Sequence, residues 1–238
     1  MARMRVFAGP NGSGKTTLNE HLQDEFNYGF YLNPDDFFND ITQNGVLQLK
    51  HYGVTAEKFR WNQFYKSHPL FQKLETDDAK VMEKNNILLF SCKPSVYLVS
   101  IVIDYVRHLL LETEKTFSFE TVFSHPSKIQ LMEDARQKGY KTYLYFICTN
   151  SPEINVLRVK QRTEEGGHGV PEEKIRSRYT RALENLPHGI RTAYRAYFFD
   201  NSGKTSALIG EVTPNKQLKL HKFNVPPWFK TYVLPVFS

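Results

Sequence analysis

The sequence predicts an α/β fold: a parallel sheet flanked by helices, with a helical insertion on the way through the sheet. Three observations lead there. Short apolar runs alternate with amphipathic stretches down most of the chain. A glycine-rich turn, AGPNGSGKTTL (Ala8 to Leu18), joins the first apolar run to the first amphipathic stretch. A length of 238 residues suffices for one large domain with a real core.

Taken in order, strands are expected at Met4–Ala8, Gly29–Leu32, Thr116–Glu120, Thr142–Cys148, Ala196–Asp200 and Ser206–Gly210. Helices are expected at Lys15–Phe26, Ser95–Glu114, Ser127–Lys138, Pro152–Thr163 and Pro171–Leu186. Residues 1–210 thus form one domain, with 37–115 as an insertion on the substrate side. That segment is too long for a plain loop and holds much aromatic polar sequence (KFRWNQFYKSHPLF). A tail, 211–238, is expected to pack on the core or on a partner.

Composition narrows the class. Lys and Arg total 31 against 25 Asp and Glu, a net charge of +6, with a pI of 9.1, which suits an anionic ligand. Between Asn155 and Arg195 nine basic residues face five acidic ones, so positive charge is concentrated where a phosphate site would use it, and a nucleic-acid partner is not expected. Cys92 and Cys148 are the only cysteines and read as reduced core thiols, which points to a cytoplasmic protein. The start lacks the apolar region of a signal peptide, and the longest apolar stretch, Val96 to Leu111, is broken by Asp104, Arg107 and His108. No membrane association is expected.

Gly9-Pro10-Asn11-Gly12-Ser13-Gly14-Lys15-Thr16, continued by Thr17, fits G-x-x-x-x-G-K-[ST] between a strand and a helix. This is a P-loop: backbone N–H groups turn around phosphate oxygens of ATP, Lys15 neutralises β/γ charge, and the Thr16 hydroxyl can ligate Mg²⁺. A glycine-rich turn with no ligand would leave Lys15 without a reason. Next, Tyr31-Leu32-Asn33-Pro34-Asp35-Asp36 ends a strand in two carboxylates. One, with Asp35 favoured, can take or orient the proton of an attacking hydroxyl; the other reading is that an acid caps the following helix. Glu120 ends a third strand and can hold Mg²⁺ through water, bond the substrate, or be satisfied by nearby backbone. Asp104 is an acid on an apolar helix and needs either Arg107 or a ligand hydroxyl. From Arg158 to Glu173 the pattern is helix, glycine-rich break, helix: a basic lid hinged at 163–170, from which Arg162 and Arg178 can close on a transferring phosphoryl group. Single arginines there, Arg181, Arg191 and Arg195 in particular, also read as a solvated helix face.

These residues resemble the zeta toxin family of P-loop kinases, in its predicted-ATPase branch. The likeness runs from about Met4 to Ser202 and rests on AGPNGSGKTT, NPDDF, FETVFS and RVKQRTEEGGHGVPEEKIRSRY followed by FFDNS. It implies a parallel sheet with ATP at the P-loop and phosphorylation of the sugar 3′-hydroxyl of UDP-N-acetylglucosamine, in bacterial toxin–antitoxin pairs. By motif position it implies that Lys15 and Thr16 bind phosphate and Mg²⁺, that Asp35 is the general base, that Asp104 and Glu120 are substrate-side acids, and that Arg162 is a lid arginine. His168 stands where those toxins carry a second lid arginine, and Ser124-His125 stands where they carry an arginine after the strand-end Glu.

The resulting expectation is an ATP- and Mg²⁺-dependent kinase of a small hydroxyl-bearing acceptor, first a sugar nucleotide, with Asp36, Asp104, Glu120 and His168 on the acceptor side and an antitoxin-like inhibitor as a candidate partner. Two alternatives stand beside it. One is an ATPase switch, which needs no acceptor base; the other is a nucleic-acid-end kinase, suggested by Trp61, Phe64, Tyr65 and Phe71 among basic residues.

Overall fold

A computed structural model describes residues 1–22, 25, 27–56, 60–74, 81–91, 94–166 and 169–238. It divides into two compact units, Met1–Tyr28 with Ser118–Ser238, and Gly29–Phe117. The first unit opens with β1 (Arg3–Ala8), turns through the glycine-rich loop and begins α1 (Lys15–Leu22). The second unit holds β2 (Phe30–Leu32), α2 (Pro34–Asn44), β3 (Val46–Gln48), α3 (Trp61–Ser67), β4 (Val81–Lys84), β5 (Ile87–Phe90) and α4 (Val96–Glu112). The first unit resumes along β6 (Phe117–Thr121), with α5 (Ser127–Gln137), β7 (Lys141–Cys148), α6 (Pro152–Glu164) and α7 (Glu172–Thr192). It closes with β8 (Arg195–Asp200), β9 (Ala207–Val212), β10 (Leu218–Leu220) and α8 (Pro227–Tyr232).

In the first unit the strands run in the order β10-β9-β8-β7-β1-β6. β1 and β8 both pair parallel with β7, setting Val6 beside Leu144 and Tyr145 beside Tyr197, while β9 and β10 continue antiparallel. Central strands covered on both faces need near-continuous apolar sequence. Met4, Val6, Phe7 and Ala8 of β1 and Leu144, Phe146, Ile147 and Cys148 of β7 accordingly have no exposed surface. Burial pushes the Cys148 thiol up to about 12, so it stays protonated; Cys92 lies outside the described residues. The tail packs on this unit: Trp228, Phe229 and Val233 are buried, with Phe229 edge-on to Phe198 at 5.4 Å.

The second unit, expected as a helical insertion, also contains an antiparallel three-stranded sheet, β3-β5-β4. Asn85 and Asn86 make its tight turn with φ of 54° and 63°, the left-handed pair that two-residue hairpins require and that asparagine tolerates. The Trp61 indole donates to the Val81 carbonyl at 3.2 Å and meets Tyr105 edge-on at 5.2 Å. Trp61 and Tyr65 are therefore buried core residues, which removes them as stacking platforms for nucleic-acid bases. No helix of the described residues is long and apolar enough to cross a membrane.

Candidate active site

The P-loop owes its shape to contacts on both flanks. Gly12 and Gly14 have φ of 74° and 91°, where a side chain is strained, and there is also no room for one. A Cβ at Gly12 would lie 2.8 Å from the Asn155 carbonyl oxygen, and one at Gly14 would lie 2.3 Å from Asn201 Nδ2. Asn155 is fully buried on α6; its amide donates to the Asn11 carbonyl at 2.5 Å and its carbonyl oxygen accepts from the Thr149 hydroxyl. Asn201 follows β8; its amide donates to the Ser13 carbonyl at 2.9 Å and its backbone N–H to the Cys148 carbonyl at 2.8 Å. Two carbonyls of the loop are thus tied back, which leaves the start of α1 as a concave, electropositive end.

Lys15 closes the cradle. Its ammonium donates to the carbonyls of Gly9 and Pro10 at 3.0 and 2.9 Å. Poor hydration lowers its pKa to about 8, with the Glu120 charge opposing that shift and the Arg162 charge adding to it. An ammonium held at such a cost gains from a nearby anion. The Thr16 hydroxyl donates to Glu120 Oε2 at 3.0 Å, so the two residues read as metal ligands do meet. Both offer hard oxygen donors of the kind Mg²⁺ takes. Among the described residues no three His, Cys, Asp or Glu side chains form a metal cluster, so a cation here would complete its shell with phosphate and water. The cradle, the ammonium and this donor pair fit a Mg²⁺–triphosphate group.

The lid arginines differ in their surroundings. Arg162 is exposed near the end of α6, and its charge is felt at Lys15. Arg178 is half-buried on α7, with Nη1 3.5 Å from Asn11 Oδ1, and burial together with Arg181 holds its pKa below the usual guanidinium value. Arg176 is ion-paired to Glu153 and Glu172 at 2.5 and 2.8 Å, which ties α7 to α6. Arg195, read as part of a helix face, lies instead on β8 and pairs with Glu211 at 2.6 Å. His168 lies outside the described residues.

In the second unit Asp35 and Asp36 occupy the first turn of α2 and are exposed. The cap of that helix is Asn33, whose side chain accepts the Asp35 N–H at 3.0 Å, with Pro34 in the first position. Neither acid serves as the cap, contrary to one of the two sequence readings. Desolvation, and then the charge of Asp35, raise the Asp36 pKa. Asp104 takes Arg107 Nη1 at 2.6 Å and lies 3.5 Å from His68 Nε2. Its partnership with Arg107 is thus real, and His68 is a member of the group that the sequence did not suggest. Asn155 and Asn201 were also missed as site residues; the only hint was Asn201 within FFDNS, since nothing local in a sequence marks a clamp.

Comparison with known proteins places these features. The sequence profile described as “Zeta toxin” matches residues 98–208. A stretch of 72 residues is 35% identical to an uncharacterized protein of Haemophilus influenzae, covering 30% of this chain and 51% of that one. The AvrRxo1-ORF1:AvrRxo1-ORF2 complex solved with sulphate ions superposes with a TM-score of 0.61 at 13% identity, over 100% of this chain and 65% of that chain. The same complex solved with ATP gives 0.61 at 14% identity over the same shares. The chain thus spans about half of the Haemophilus relative and somewhat less than two thirds of the solved chains, and at such identities the superpositions speak to the fold alone. That fold is the mostly parallel, helix-flanked α/β architecture read from the sequence. Residues 98–208, a little under half of the chain, are thus similar in sequence to the zeta toxin family.

Proposed function

We propose that the chain is a kinase that transfers the γ-phosphoryl group of ATP to a hydroxyl of a small acceptor. The observation that carries the reading is the Lys15 cradle: a desolvated ammonium with a pKa of about 8, at the start of α1, behind glycines that admit no side chain. Residues Gly9 to Thr17 would hold the triphosphate, as the ATP-bound AvrRxo1 complex supports for a similar fold. Mg²⁺, at Thr16 and Glu120, would neutralise charge between the β- and γ-phosphates. Asp35 orients and deprotonates the acceptor hydroxyl, a part left open to it because Asn33 caps α2. Arg162 and Arg178, with His168, stabilise charge on the transferring group. Asp36 and Asp104 contact the acceptor, for which UDP-N-acetylglucosamine is the first choice on the family resemblance. An antitoxin-like protein is the corresponding candidate partner, since AvrRxo1-ORF1 was solved bound to a second protein.

The test is a mass-spectrometric search for a phosphorylated product with Mg-ATP and a panel of sugar nucleotides, nucleosides and oligonucleotides. A product gaining one phosphoryl group, and absent with Lys15→Ala, supports the reading. ATP hydrolysis at one rate whatever the acceptor contradicts it and favours an ATPase switch.

A further inference from the structure

We infer that Trp228, on the C-terminal helix α8, is a positioning residue for the nucleotide: through Asp200 it sets the turn that presses Asn201 against the P-loop. The inference rests on the ATP reading above and reaches beyond residue 208, where the family match ends.

Asp200 ends β8 and gathers three hydrogen bonds. Its Oδ1 accepts from the Trp228 indole N–H at 3.1 Å and from the Ser202 hydroxyl at 2.8 Å, and its Oδ2 accepts from the Ser202 backbone N–H at 3.4 Å. A carboxylate that bonds the backbone two residues on folds the chain into a tight Asx-type turn. Asn201 lies within that turn. Its side chain is thereby aimed at the Ser13 carbonyl, 2.9 Å away, and against Gly14. The Ser202 hydroxyl in turn accepts the Asn150 N–H at 2.8 Å. It thus joins the turn to the end of β7, close to Thr149 and Asn155 on the opposite flank of the loop.

Packing fixes the donor end of this relay. Trp228 is 3% exposed and wedged against Phe146 at 5.9 Å and Phe229 at 5.7 Å. A phenylalanine would fill most of that space, so the indole N–H is the feature that demands tryptophan. A buried indole N–H takes a partner, and the partner here is the carboxylate that shapes the nucleotide turn. Without that bond Asp200 keeps only its two bonds to Ser202 within the turn, the turn loosens, and the Asn201 amide holds the Ser13 carbonyl less firmly. The effect should fall on nucleotide binding more than on transfer.

The experiment compares Trp228→Phe, which keeps the ring and removes the donor, with Val233→Ala, which opens a gap at the buried C-cap of the same helix and removes no group of the relay. Three quantities are read: the ATP dissociation constant, the split between KM for ATP and kcat, and hydrogen–deuterium exchange of the P-loop peptide. We expect Trp228→Phe to weaken ATP binding about five- to tenfold, less than the full loss of a hydrogen bond to a charged group because the effect reaches the nucleotide only through the turn. Its kcat should stay within about twofold, and P-loop exchange should accelerate even without nucleotide. Val233→Ala should lower Tm while leaving ATP affinity and P-loop exchange unchanged. Wild-type affinity and exchange in Trp228→Phe would overturn the inference, as would equal effects of both variants. Failure of the wild-type protein to bind ATP would sink the kinase reading, and the exchange comparison would still decide whether Trp228 braces the loop.

Discussion

Lys15 makes a prediction with a definite sign. A lysine ammonium ordinarily holds its proton up to about pH 10.5, whereas here poor hydration brings that value down to about 8. A triphosphate beside the ammonium would pull the value up again. Over the interval between the two, the complex holds a proton that the free protein has lost. Each pH unit above about 8 therefore weakens ATP binding by up to about tenfold, or roughly 1.4 kcal/mol. Complete restoration of the ordinary value would cap the loss at about 2.5 pH units, near 300-fold or roughly 3.4 kcal/mol. Lys15 is half-buried, so solvent screening trims this, and we expect a loss of about tenfold between pH 7 and 9.5. The assay is equilibrium titration with ATP at constant ionic strength, with circular dichroism confirming the fold at each pH. Lys15→Arg is the control, because a guanidinium keeps its charge throughout and should give a flat profile. A flat profile for the wild-type protein, or an equal slope in Lys15→Arg, would mean that Lys15 does not take up a proton as ATP binds. Stability carries the complementary sign. Between about pH 8 and 10.5 the unfolded chain holds the Lys15 proton and the folded chain does not, so this residue's contribution rises with pH and is least favourable below 8. Lys15→Met should therefore leave the nucleotide-free Tm at pH 7 unchanged or higher, and a lower Tm would count against the account.

Two further outcomes follow from packing. Gly14→Ala should destabilise the fold by about 1–3 kcal/mol and abolish tight ATP binding, because a methyl group at φ +91° would meet Asn201; a wild-type Tm with wild-type affinity would contradict that. Arg107→Met should cost about 3–5 kcal/mol in urea unfolding, since Arg107 is 4% exposed and its loss takes away the 2.6 Å ion pair to Asp104. Adding Asp104→Asn to that variant should recover part of the loss, and additivity of the two losses would argue against a coupled pair.

Particular residues explain what the sequence disclosed. The central strands were legible because burial on both faces demands continuous apolar runs such as Leu144 to Cys148. The P-loop was legible because its contacts lie within one strand, turn and helix. Helix α7 was expected to stop at Leu186, before Pro187, yet it runs to Thr192. Leu186, Gly189 and Ile190 continue its buried stripe, and their burial outweighs the one backbone bond that proline forfeits. The three-stranded sheet was missed because its strands are only 3 or 4 residues long, although Asn85-Asn86 carried a hairpin signal. The loop's clamps were not legible at all: Asn155 and Asn201 lie 144 and 188 positions from the carbonyls they hold. The antiparallel partner β10 and the Trp228–Asp200 bond likewise depend on a tail with no clear hydrophobic period.

The most direct measurement is the rate of γ-phosphoryl transfer to the best acceptor, set beside ATP affinity, for the wild-type protein and Asp35→Asn. The variant should bind ATP as the wild type does and transfer about 10²–10⁴-fold more slowly, the usual contribution of a general base. Equal transfer rates in the two proteins, or ATP turnover indifferent to both the acceptor and Asp35, would contradict it.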